Sequence, residues 1–232
     1  MTRSLRAGVI AVAAIAIGIG LSGCGSDTKS EPSTSKQTST ASSTTTSKAV
    51  PTSSAQASGP NKTIVDYIKE NGITETPVHR GDPGSPTINL PFPPGWEDAG
   101  SRTPEWAYGA IVSNDPAMAQ DPPSIIALVS KLTGNVDPAK ILEYAQGEIK
   151  NLPGYDGAAE GSPSTLAGFD ATQIGGTYTK GGVKRAIAQK TVVIPGQDAL
   201  YVLQLNADGT EDQMGALMDA TSVIDEQTTI TP

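Results

Sequence analysis

The chain has a single cysteine, Cys24, and its neighbours say what that thiol is for. It closes Leu21-Ser22-Gly23-Cys24, behind a cationic start (Arg3, Arg6) and fifteen small or apolar residues from Ala7 to Leu21. Charged, then apolar, then small is the order of a secretory leader. A cysteine directly after the cut is the bacterial lipobox. The sulfur takes a diacylglyceryl group, the chain is cut before Cys24, and the freed amino terminus is acylated. The apolar run falls short of the roughly 20 residues a spanning helix needs. Gly18-Ile19-Gly20-Leu21-Ser22-Gly23 spells a dinucleotide fingerprint, but that motif works only between a strand and a helix, and this copy lies in the leader that is removed.

The remaining reactive side chains form no constellation. His79 is the only histidine. It neighbours Arg80 and Asp82 in a Gly/Pro loop, and no Gly-x-Ser-x-Gly elbow supplies a serine for it to activate. It reads as a loop histidine, and no catalytic residue is expected. Asp115 and Asp121 flank a proline loop, and Asp208-Gly209-Thr210-Glu211-Asp212 faintly resembles a calcium loop without meeting its spacing. The second segment is explained as a turn and helix start, where acids favour the positive end of the helix dipole. Neither a metal nor a cofactor is implied. Aromatic rings offer the alternative of binding: Phe92, Trp96, Trp106 and Tyr108 gather around one Pro-rich loop, where they could line a pocket for an acyl chain or a sugar ring. The plainer alternative is that they fill the core. Met214 and Met218 are likewise assigned to the core.

Composition narrows the partners. Sixteen basic residues face twenty-four acidic ones, for a formal charge of −8. Loss of Arg3 and Arg6 with the leader leaves fourteen against twenty-four, or −10. Such a surface repels phosphate backbones and anionic headgroups, so nucleic acid is excluded and membrane attachment must come from the acyl chains on Cys24. With each buried methylene worth about 0.8 kcal/mol, two or three chains hold firmly. With Cys24 consumed, no thiol remains for a disulfide or a thiolate metal site.

Three regions must position these groups: a leader, 1–23; the acylated cysteine and a Ser/Thr-rich disordered tether, 24–60; and a single globular domain, 61–232. The tether has no aromatic residue and almost nothing aliphatic, too little to offset its ordering entropy. Its 36 residues would span about 30–36 Å as a flexible coil. In the domain, Thr63 caps a helix closed by Asn71-Gly72, and Thr87 to Leu90 is a short strand. Ala107 to Ser113 and Ser124 to Lys131 read as strands, and Asp137-Pro138 opens a helix carrying Ile141, Leu142, Ala145 and Ile149 on one side. Ala171 to Tyr178 and Val183 to Ile194 flank Lys180-Gly181-Gly182 as a hairpin, and Ala199 to Asn206 follows. Thr210 to Gln213 is a capping box. It starts a helix with Met214, Leu217, Met218, Thr221 and Ile224 as its buried stripe, and the tail from Thr228 is polar. Strand runs joined by hairpins, with helices before, between and after, predict an α+β fold, an antiparallel sheet sandwiched between helices.

Several segments carry a resemblance: Glu75-Thr76-Pro77-Val78-His79-Arg80-Gly81-Asp82, Leu90-Pro91-Phe92-Pro93-Pro94-Gly95-Trp96, Ser130-Lys131-Leu132-Thr133-Gly134, Ile149-Lys150-Asn151-Leu152-Pro153-Gly154 and Val223-Ile224-Asp225-Glu226-Gln227. Through them, the globular part resembles the LpqN/LpqT lipoproteins of mycobacteria, and the Pro-Pro-Gly-Trp turn is similar to that of the wider Mog1/PsbP-like fold. The resemblance implies a non-enzymatic accessory protein on the extracytoplasmic face of the plasma membrane, which binds or traffics mycomembrane lipids or glycolipids, or docks on a lipid exporter. The other reading is a protein-interaction module without a ligand pocket, meeting envelope proteins, or host proteins if the domain is shed.

Overall fold

The computed structural model describes residues 59–232, and its order follows from local chemistry. Helix α1 (Ile64–Glu70) begins at a capping box in which the Thr63 hydroxyl accepts from the Asp66 N–H and the Asp66 carboxylate accepts from the Thr63 N–H. Strands β1 (Thr74–Pro77), β2 (Thr87–Asn89), β3 (Trp96–Asp98) and β4 (Gly109–Ser113) are short, and β5 (Ser124–Thr133) is the first long one. Helix α2 (Pro138–Lys150) starts at Asp137, whose side chain accepts from the Ala139 N–H, with proline in its first turn. Then come β6 (Asp156–Gly157), β7 (Ser162–Leu166), β8 (Phe169–Lys180), β9 (Val183–Pro195), β10 (Leu200–Thr210), α3 (Met214–Gln227) and β11 (Thr229–Thr231).

Four long strands, in the order β5-β10-β9-β8, form the middle of one antiparallel sheet. Lys180 pairs with Val183, so Gly181-Gly182 is a two-residue loop, and both glycines have positive φ, 59° and 81°. That conformation matches the twist of the flanking strands and suits glycine. Successive residues along a strand point to opposite faces, so neighbouring rows on one face are two residues apart. One face carries Val129, Leu203 and Val192 in register, over which α3 lays Leu217, Ala220 and Ile224. The other carries Leu132, Leu200, Val202 and Val193, covered by Ile64, Tyr67 and Ile68 of α1 and Ile141 and Ala145 of α2. The sheet is therefore sandwiched between helices, as the order of elements predicts.

Four features differ from the sequence reading. Met214 and Met218 are not core residues: they are 37% and 65% exposed, because Leu217, Ala220 and Ile224 already fill the face that meets the sheet. The tail is not a free polar end, since Thr229–Thr231 pairs with Thr87–Asn89 as a separate two-stranded sheet. β1, running into the start of the Gly/Pro loop around His79, was not marked by the pattern and pairs with β5. β3, around Trp96, and β7 are further strands that the pattern did not mark; their backbones find partners although their side chains show no period.

The two helices on one face meet closely. Gly147 lies inside α2 where the Lys62 backbone crosses it, and a Cβ there would overlap the Lys62 carbonyl oxygen. Gly→Ala in a helix interior ordinarily gains about 1 kcal/mol. Here Gly147→Ala is expected to cost about 1–3 kcal/mol as overpacking, read as a lower urea midpoint at unchanged slope; a raised midpoint would contradict the crossing.

Candidate functional site

Helices α1 and α2 cover only one end of their sheet face. Beyond the last turn of α2, the same face is open as a groove of about 530 Å³. Ile126 and Leu128 of β5 and Ile187 of β9 give it apolar floor, Ile149, Leu152 and Pro153 an apolar wall, and the β8–β9 hairpin tip closes one end. Between them the floor turns polar. Gln204 pairs with Leu128, and the next row sets Gln189 beside Asn206 and Ile126. A volume of a few hundred Å³ with apolar walls and a few convergent polar groups is the usual form of a small-ligand site.

The polar groups converge on Glu148. The Gln189 and Gln204 amides each donate to its Oε2 at 3.4 Å, long bonds, while Gln189 also donates to Asn206 Oδ1 at 2.9 Å. Glu148 keeps some exposure, yet its carboxyl group is surrounded by protein. Desolvation pushes its pKa up, the two amide donors offset part of that, and the like charges of Glu75 and Asp66 add to it. Gln189 is 4% exposed, and its Oε1 has no partner among the described residues. Buried polar atoms are nearly always satisfied, and this oxygen and the Thr191 hydroxyl on the same face are the two buried side-chain exceptions among the described residues. A carboxyl group set among amides favours a ligand that brings hydroxyl donors, and the Ile, Leu and Pro walls favour one that brings hydrocarbon.

One end of the groove is pinned by charge. Arg185 on β9 donates through Nε to Asp208 at 2.8 Å, and through its terminal nitrogens to both Asp208 and Asp121. The Tyr178 hydroxyl donates to the other Asp208 oxygen. Burial and the adjacent carboxylate drive the Tyr178 pKa well above its ordinary value, and the two carboxylates raise that of Arg185. The acids singled out from sequence are thus used internally: Asp121 and Asp208 hold an arginine, and Asp115 caps a short turn.

The other sequence candidates scatter. Cys24 lies outside the described residues. Trp96 and Tyr108 are buried in the core on the α3 face, the Tyr108 hydroxyl bonding the Ile88 backbone. Phe92 is half exposed, at a small cleft of about 20 Å³, and Trp106 is half-buried. None of the four lines the α2-side groove. His79 is exposed, its Nε2 3.2 Å from the Glu105 carbonyl. Sequence reasoning missed Glu148, Gln189, Gln204 and Asn206. One signal was present: Glu148 falls three residues after Ala145, on the side facing the sheet. Gln189 shares its face of β9 with Arg185 and Thr191 as well as Ile187 and Val193, so polarity alone did not mark it.

Comparison with known proteins now bears on the chain. The family model described as probable lipoprotein LpqN matches residues 60–231. Lipoprotein LpqN of Mycobacterium tuberculosis is 57% identical over 225 residues, covering 96% of this chain and 97% of that protein. A crystal structure of LpqN, described as involved in cell envelope biogenesis of Mycobacterium tuberculosis, superposes with a TM-score of 0.71 at 60% identity, over 75% of this chain and all of that one.

Proposed function

Because this chain belongs to the LpqN lipoprotein family, we propose that it is a lipid-anchored accessory protein of cell envelope biogenesis that binds amphipathic envelope lipids in the α2-side groove. Cys24 carries the acyl anchor, the tether holds the domain on the outer side of the plasma membrane, and the protein handles its ligand without transforming it. The observation that carries the reading is the groove itself, in which apolar walls lead to a floor holding a buried carboxyl group and an amide oxygen without a partner among the described residues. Hydrocarbon meets Ile126, Leu128, Ile149 and Leu152, while the hydroxyls of a glycolipid headgroup reach Glu148 and Gln189.

Native mass spectrometry of the protein after incubation with a mycobacterial lipid extract tests it. Lipid adducts should appear, and Asn206→Leu, which removes a polar group from the floor, should weaken them about tenfold, the worth of one well-placed polar contact. Complete absence of adducts would end the carrier reading. The anchor is tested apart: Cys24→Ser should move the protein from the detergent-rich to the aqueous phase on phase separation.

A second reading, docking on another envelope protein such as a lipid exporter, draws on the exposed Phe92 and Met218. Cross-linking in intact cells would favour it if one partner joins through α3 while the lipid experiments stay negative.

A further inference from the structure

The sheet's other face holds a second cavity, of about 310 Å³, roofed by the last turns of α3. It exists because a row of small residues crosses three strands. Gly175 pairs with Ala188, Ala188 with Ala207, and Ala207 with Ile125, so the side chains that would normally meet a covering helix stop short. Leu205 and Ile224 supply apolar wall. In the next row stands Lys190, whose side chain is only one-tenth exposed and whose ammonium lies 2.7 Å from Asp225 on α3. Gln173 pairs with Lys190 in the sheet, and Ser162 and Thr221 also line the cavity, yet a buried ammonium remains costly to keep without strong partners. Asp225 is its ion-pair partner among the described residues, which leaves two of its three N–H donors to bond elsewhere.

We infer that this cavity is a second ligand site, separate from the α2-side groove, for a single-chain amphiphile with an uncharged oxygen headgroup. The volume is roughly twice the ~150 Å³ that takes a benzene ring, room for a chain of about ten carbons. The mouth is a neutral pair. Lys190 donates to an ester or hydroxyl oxygen, and Asp225 accepts from a hydroxyl hydrogen. A carboxylate headgroup would arrive beside the Asp225 carboxylate and meet like charge, with one ammonium shared between them. The pair thus selects against the free fatty acid and for its glycerol monoester.

The experiment uses the full chain carrying Cys24→Ser, so that no acylated sulfur competes. 1-Monodecanoylglycerol and sodium decanoate are titrated separately at pH 8 by calorimetry, with methyl NMR of the same samples. One monodecanoylglycerol should bind per chain, shifting the methyls of Leu205 and Ile224, while decanoate binds about tenfold more weakly for want of charge compatibility. Ala188→Leu, which fills the floor, should cost at least about tenfold. Saturation with methyl shifts confined to Leu128 and Ile187 would overturn this site while supporting the groove. No saturable binding below about 1 mM, or equal binding by Ala188→Leu, would overturn it outright, and decanoate binding as tightly as the monoester would overturn the headgroup assignment. Should Ala188→Leu fail to fold, the shift map on the unsubstituted chain decides.

Discussion

Asp208→Ala is expected to lower the stability of the domain by roughly 3 kcal/mol, among the larger losses a single substitution can cause here. Removing one partner of a buried ion pair leaves the other charge without compensation, which typically costs about 3–5 kcal/mol. The lower end applies because Asp121, half exposed, still holds one side of the guanidinium. Arg185 would keep its place, 11% exposed, with its better-buried partner gone, and the Tyr178 hydroxyl would lose its acceptor in the same step. Asp208→Asn keeps the shape and some hydrogen bonding and should lose less. Urea unfolding at pH 7 measures both, and a loss below about 1 kcal/mol for the alanine variant would mean that the pair behaves like an exposed one. Arg185 joins β9, β10 and the loop before β5, so its loosening should open the groove at that end.

Glu148→Gln is expected to do the reverse for stability and to harm function. The folded state holds this carboxyl group's pKa above the ordinary glutamate value, mainly through desolvation. Folded protein therefore binds more protons than unfolded protein from the ordinary value, near 4.3, up to the raised one. Stability falls as pH rises through that window and the penalty persists above it. The uncharged, isosteric glutamine removes the penalty, so the variant should show a higher urea midpoint than the parent at pH 7–8 and nearly the same midpoint at pH 4. Lipid adducts should decline in the same variant, because the carboxyl group is the strongest acceptor on the floor. An unchanged midpoint across pH would show that the acid is well solvated. A gain in stability bought with lost binding is the mark of a residue kept for its ligand.

The architecture was largely legible in the chain, for physical reasons that differ between elements. The Thr63 cap, the capping box at Thr210 and the Asp137-Pro138 start name helix beginnings by satisfying identifiable backbone donors, and each stands where it was expected, Thr63 within a full capping box with Asp66. Strands β8 to β10 declare themselves through length, alternation and the Gly181-Gly182 turn. β1, β3, β7 and β11 do not, because a strand of three to five residues is held by the neighbour's backbone more than by its own side chains. The outer methionines of α3 were misassigned because Met214 and Met218 keep helical spacing with Leu217, and spacing alone cannot say which of two adjacent stripes meets the sheet. The groove was the least legible part. Its polar floor is made of Gln189, Gln204 and Asn206, residues with no chemistry of their own, brought together by strand register, and its acid comes from a helix more than forty residues earlier than Gln189 in sequence. Aromatic residues drew the eye instead, yet Trp96 and Tyr108 pack the opposite face.

The way the sheet stops at its sides has a consequence for how copies of the domain can meet. The outer edge of β5 is shared between β4 and β1, and that of β8 between β6 and β7. What faces outward is a set of strands two to five residues long, broken in the middle on both sides. A neighbouring copy thus finds no uninterrupted row of open amides to zip onto. Copies meeting side by side therefore lack the long bare margin along which edge-to-edge polymerisation starts.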